Sequence, residues 1–147
     1  MGKTAFIFPG QGSQYVGMGK DFFENSELCK EIYAKASEAS GLNVEALCFE
    51  ENEQINITEY TQIAMLATEV AMLRELESRG VKADVAAGLS LGEYGALAAA
   101  GVLKDEDIFK VVRKRGLFMQ QAVPSGGAMA AILALSTDKI EEICEKT

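Results

Sequence analysis

The sequence predicts an α/β fold built on a largely parallel sheet, and three observations carry that prediction. Short apolar runs alternate with longer segments of helical periodicity, the order of βαβ units. The chain has 147 residues, 48% of them hydrophobic and 24% charged, enough for one domain with a buried core and too apolar for disorder. Only about three strands can be counted, whereas a parallel sheet is covered on both faces and flanked by neighbours, so the fold is expected to be incomplete.

Residues 3–8 (KTAFIF) are rich in strand formers and stop at Pro9-Gly10, which predicts a buried strand ending in the turn Gly10-Gln11-Gly12-Ser13-Gln14. Residues 20–59 carry ten acidic and three basic side chains, and so most of the net charge of −8; they read as short helices with a solvated surface. Residues 58–79 place Ile63, Leu66, Val70 and Leu73 at helical spacing, with Thr58 as a cap and Gly80 as the stop. Residues 84–88 (DVAAG) form a second strand, and the turn that follows opens an alanine-rich helix ended by Gly101. Residues 105–121 form a helix with three acids in its first turn, matching the positive end of its dipole. After the break at Pro124-Ser125-Gly126-Gly127, residues 128–135 read as a strand, Ser136 as an N-cap and residues 137–146 as a helix.

Composition excludes several classes of function. An acidic chain without a dense Lys/Arg tract is a poor ligand for nucleic acid or an anionic membrane, and no apolar run approaches the roughly 20 residues of a membrane span. Cys29, Cys48 and Cys144 are odd in number and widely spaced, which suggests neither a metal site nor a disulfide framework; reduced core thiols in a cytoplasmic protein are expected. The chain holds no histidine, so it cannot by itself supply the usual base of a Ser-His pair.

Gly88-Leu89-Ser90-Leu91-Gly92 fits the G-x-S-x-G nucleophile elbow between a strand and a helix. Hydrogen at both glycines relieves the crowding of a tight strand-to-helix turn, Ser90 projects from it, and the Leu91 amide at the helix start can face an acyl oxygen. A glycine-rich turn that merely packs helix on strand would look the same in one motif. Gly10-Gln11-Gly12 also follows a strand, so an amide near Gln11 could be the second oxyanion donor; the loop lacks the G-K-[ST] ending of a phosphate-binding Walker loop. Arg115 falls inside the stripe Ile108, Val111, Val112, Met119 and Ala122, while Arg113 and Lys114 fall outside it as surface charges. A guanidinium there needs a partner, either an internal carboxylate, with Glu93 nearest in the motif, or an anion that comes and goes.

Three stretches, FIFPGQGSQYVGMG, GLSLGEYGALAAAG and RKRGLFMQQAVPSGGAMAAI, together resemble the amino-terminal half of the malonyl-CoA:acyl carrier protein transacylases of fatty acid synthesis. The resemblance covers all 147 residues. It implies a hydrolase-like parallel sheet with helices on both faces, incomplete within residues 1–123, then in 124–147 the first strand and helix of a ferredoxin-like small subdomain. It implies a ping-pong reaction in which Ser90 takes malonyl from malonyl-CoA and the phosphopantetheine thiol of acyl carrier protein collects it, with no cofactor and no metal. The amides of Gln11 and Leu91 match the oxyanion positions, and Arg115 matches the group that holds the malonyl carboxylate. Gln62, in the T-Q-x-A run, and Met119, which closes R-G-x-F-M, match substrate-binding positions. Leu89 stands where the family often has a histidine, next to the nucleophile but not its base. The family's catalytic histidine lies beyond residue 147, so a missing carboxy-terminal half is expected to supply it and this chain alone to be inactive. A discrete polyketide acyltransferase, a serine esterase or thioesterase, and a non-catalytic interaction unit are the rival readings.

Overall fold

The computed structural model describes residues 2–127 and 132–146. Strand β1 (Ala5–Phe8) is followed by helices α1 (Lys20–Asn25), α2 (Glu27–Ser40) and α3 (Val44–Phe49), a 3₁₀ turn (Gln54–Asn56), and the long helix α4 (Thr58–Ser78). Strand β2 (Val85–Gly88) leads into α5 (Gly92–Ala99), α6 (Asp105–Ala122) and α7 (Thr137–Glu145). The two strands pair in parallel, Ala5 beside Val85 through Phe8 beside Gly88, as the α/β reading expects.

Helix α4 is the centre of the molecule, packed against α2 and α6. Five successive residues, Thr61 to Met65, are all buried, and five residues point in every direction around a helix. The sequence showed only one apolar stripe here; the helix is enclosed on nearly every side, with Thr61, Gln62, Thr68, Glu69 and Glu75 among its buried positions. Thr58 does not cap it. The N-cap position is Ile57, and the Thr58 hydroxyl accepts a hydrogen bond from Gln11 instead. The acidic stretch folds as expected into short amphipathic helices, which bury Cys29, Ile32, Tyr33 and Ala36 from α2. There Phe23, Tyr33 and Phe49 form a ring cluster with centroids 5.0–5.4 Å apart, and the Tyr33 hydroxyl lies 2.8 Å from Thr68 Oγ1.

Helix α6 is fixed to α4 by a fork. Arg74 donates from Nε and Nη2 to the two carboxylate oxygens of Asp105 at 3.0 and 2.6 Å, a bidentate geometry that fixes orientation as well as distance. At Gly116 a Cβ would stand 3.1 Å from Glu59 Cα and 3.2 Å from Gln62 Cβ, so the two helices approach closely there.

Four expectations need correction. Alternation along both strands is strict: Ala5, Ile7, Val85 and Ala87 are exposed, while Phe6, Phe8, Ala86 and Gly88 turn inward. Among the described residues the sheet therefore has two strands and a covering layer on one face only, not on both. Of the third expected strand, residues 128–131 lie outside the described residues. Residues 132–135 are not extended into a strand: Ala134 has φ of 59°, and no described strand lies beside them to pair with. Ser136 occupies the N-cap position of α7 as expected but its side chain caps nothing, and α7 buries none of its residues. Cys29 and Cys48 are buried free thiols, whereas Cys144 is exposed on α7 rather than part of the core.

Candidate active site

The site begins in the turn between β2 and α5. The Leu89 amide continues the ladder to the Phe8 carbonyl at 3.1 Å, and the chain then reverses through Ser90, whose φ is 53°. A non-glycine residue in the left-handed region carries backbone strain and persists only where its surroundings hold it. Here they do. A Cβ on Gly88 would stand 2.0 Å from the carbonyl group of Gly92, and one on Gly92 would stand 2.2 Å from the Phe8 carbonyl oxygen. Both glycines of the motif are thus required by close approach, and the turn has the tight strand-to-helix shape that the G-x-S-x-G pattern predicts.

The Gly10 loop lies against this elbow, since a Cβ on Gly10 would meet the Leu89 carbonyl oxygen at 2.8 Å. Gln11 and Leu91 are therefore on adjoining turns, Leu91 buried at the start of α5 and Gln11 on the exposed loop. Neither amide donates a hydrogen bond among the described residues.

Arg115 reaches the same place from α6. Its Nη2 donates to Ser90 Oγ at 3.1 Å, and its Nη1 donates to Gln62 Oε1 in a short contact. Gln62 in turn donates from Nε2 to Gln11 Oε1 at 2.8 Å, and Gln11 donates from Nε2 to Thr58 Oγ1 at 3.1 Å. The guanidinium also stands 5.5 Å from the centroid of the Tyr94 ring, one turn beyond Ser90. Ser90, Arg115, Gln62 and Gln11 thus form one connected group.

Residues 5–146 match the family described as the acyl transferase domain. The chain belongs to that family. Among curated acyl transferases it is 44% identical over 148 residues to the malonyl CoA-acyl carrier protein transacylase of Bacillus subtilis, covering 99% of this chain and 47% of that protein. It is 46% identical to the Staphylococcus aureus protein of the same name, again over 99% of this chain and 47% of the other. The chain spans about half the length of the curated relatives it matches. A solved malonyl CoA-acyl carrier protein transacylase from Clostridium perfringens superposes with a TM-score of 0.88 at 49% identity, over 99% of this chain and 46% of that one. A malonyl-transacylase solved in complex with a type II polyketide acyl-carrier protein superposes with a TM-score of 0.91 at 40% identity, over 99% of this chain and 48% of that one.

Of the two partners the sequence allowed for Arg115, the internal carboxylate is not found among the described residues. Glu93 is exposed, and among the described residues no carboxylate lies within ion-pair distance of Arg115. The buried side of α6 runs through Ile108, Phe109, Val112 and Gly116, while Val111, Met119 and Ala122 are exposed. Arg115 therefore sits at the edge of the buried face, not in its middle. Met119 lies one turn further on and shares a shallow apolar hollow with Val111, Phe118 and Arg115; Ser90 is not part of its lining. Arg113 is no surface charge: it donates to the Glu59 carbonyl at 2.9 Å and pairs with its carboxylate at 3.2 Å. Lys114 is exposed as expected.

The sequence did not show Tyr94 or Thr58 as neighbours of this group, nor the buried carboxylate of Glu69 elsewhere on α4. Tyr94 stands at i+4 from Ser90 on the motif's own helix, a spacing that could have flagged it. Glu69, two turns beyond Gln62, is 8% exposed, and neither carboxylate oxygen finds a hydrogen-bond partner among the described residues. Its Oε2 would lie 2.7 Å from a Cβ on Gly95, and burial pushes its carboxyl up to about 8. No group of residues suited to hold a metal ion occurs among the described residues, and no described helix is long and apolar enough to cross a membrane.

Proposed function

We propose that this chain is the nucleophile-bearing part of an enzyme that moves malonyl from malonyl-CoA to the phosphopantetheine thiol of acyl carrier protein. Ser90 Oγ attacks the thioester carbonyl, the new C–O bond forms as the C–S bond breaks, and CoA leaves as its thiol with the serine's proton. The carrier thiol then attacks the malonyl ester, and Ser90 recovers its proton. The amides of Gln11 and Leu91 receive the oxyanion in both steps, because both lie beside Ser90 on adjoining turns. Arg115 holds the malonyl carboxylate, assisted by Gln62, and Met119 borders the acyl site from α6. The base is a histidine in the polypeptide that the longer relatives have beyond the shared span, since this sequence contains none.

The observation that carries this reading is the position of Arg115. A cation within 3.1 Å of a strained serine, satisfied among the described residues by neutral groups, is suited to an acyl chain that ends in a carboxylate. An apolar ester would leave it unmatched, which disfavours the general esterase reading.

Labelled malonyl-CoA tests the proposal in a polypeptide extended to the relatives' length. Label should pass to carrier protein through a covalent adduct that mass spectrometry places on Ser90, and Ser90→Ala should abolish the adduct. Release to water would identify a thioesterase, and an adduct that survives Ser90→Ala would overturn the assignment of the nucleophile. The 147-residue chain alone should turn over about 10⁶-fold more slowly, the cost of a missing triad base in the subtilisin precedent.

A further inference from the structure

Arg115 can only donate hydrogen bonds, and this fixes the direction of every bond behind it. Gln62 must turn its carbonyl oxygen to the guanidinium, so its NH₂ faces Gln11. Gln11 must then present its own oxygen, so its NH₂ faces Thr58, which must accept. The observed contacts run in this order, Arg115 to Gln62, Gln62 to Gln11 at 2.8 Å, Gln11 to Thr58 at 3.1 Å. A second tie reaches the same segment. Gln14 accepts from the Gly12 amide at 2.8 Å and donates to Asn56 Oδ1 at 3.1 Å. The segment itself is held down, because Thr61 Oγ1 donates to the Ile55 carbonyl at 2.6 Å.

We propose that Thr58 and Asn56 are positioning residues for acyl transfer: Thr58 sets the facing of the Gln11 and Gln62 amides and so the aim of Arg115, while Asn56 holds the loop that carries the Gln11 amide. Neither touches the reacting atoms. Without the Thr58 acceptor the Gln11 amide is free to rotate, Gln62 loses the oxygen it donates to, and a rotated Gln62 turns donors toward a group that is itself all donors. Loss of Asn56 removes no donor or acceptor from this chain of bonds and acts first on the oxyanion side, through the loop that places the Gln11 backbone N–H. The two residues therefore act on different kinetic quantities, which separates positioning from a general loss of stability.

This inference rests on the proposed transacylase reading, and its test has one arm that does not depend on that reading. In the 147-residue chain, the side-chain amide NMR signals of Gln11 and Gln62 should shift and exchange faster in Thr58→Val, and Thr58→Ser should restore them. In the extended enzyme, Thr58→Val should raise KM for malonyl-CoA by about three- to tenfold, the scale of one neutral hydrogen bond, and narrow the preference for malonyl over acetyl. Asn56→Ala should instead lower kcat for both acyl groups. Unchanged amide signals in Thr58→Val, or a serine variant that behaves like the valine, would overturn the proposal even if transfer is normal. Wild-type enzyme that moves no malonyl, with the amide signals still responding, would instead count against the transacylase reading while supporting the relay.

Discussion

Among the described residues Arg115 has three partners, the Gln62 carbonyl oxygen, the Ser90 hydroxyl and the Tyr94 ring, and all are neutral. A carboxylate arriving beside it would bring the opposite charge that these neutral acceptors lack, in a charge-assisted pair of about 1.5–3 kcal/mol. Arg115→Ala should therefore weaken malonyl loading by about ten- to a hundredfold while leaving acetyl loading less affected, as measured by kcat/KM on the two thioesters. Equal losses on both would make Arg115 a structural brace for Gln62. The sequence displayed Ser90 and Arg115 clearly, because one belongs to a local motif and the other is a cation near an apolar stripe. It did not display which residues meet Arg115. Glu93 belongs to the Ser90 motif, but the close approach of α4 and α6 at Gly116 brings Gln62 there, and such approaches depend on packing between distant segments.

At the scale of elements, α4 joins the core to the site, and Glu69 is its unresolved conflict between burial and charge. The ordinary value of a glutamate carboxyl is 4.5, and burial pushes this one up to about 8. Between those limits the folded chain holds a proton that the unfolded chain has released, so stability is full below the lower limit and falls as pH rises through the window. Above about pH 8 the loss is complete and the curve flattens. Glu69→Gln should remove this slope and leave the chain more stable than wild type at alkaline pH by on the order of 3–5 kcal/mol, read from denaturant unfolding across the window. A slope unchanged by the substitution would show that other groups cause it. The existence of α4 was legible from its apolar spacing, but its enclosure was not: a helix whose polar residues are buried as well looks half-exposed to any reading of periodicity.

At the scale of the whole molecule, the strands explain why the sheet was read as covered on both faces. A run such as AFIF is apolar at every position, the pattern of a strand buried on both sides, yet Ile7 and Val85 stand 71% and 56% exposed on one open face. Leu89 beside Ser90 and Phe118 on α6 are exposed to a similar degree. The outward residues of β1 and β2 stand side by side on one apolar face, the kind of patch that meets other protein, and relatives about twice as long have additional polypeptide to cover it. The 147-residue chain should therefore bind a hydrophobic dye and associate at rising concentration, while a polypeptide extended to the relatives' length does neither. Ile7→Thr together with Val85→Thr distinguishes the open face from general loosening of the fold. Both side chains point away from the packed side, so the double variant should lower dye binding and association of the short chain while its unfolding midpoint changes little. In the extended protein the same pair should destabilise, because each threonine would then place a hydroxyl in a buried layer without an assured partner. Equal effects in the two lengths would mean that the open face stays open, and the strictly apolar character of β1 would then need a different physical cause.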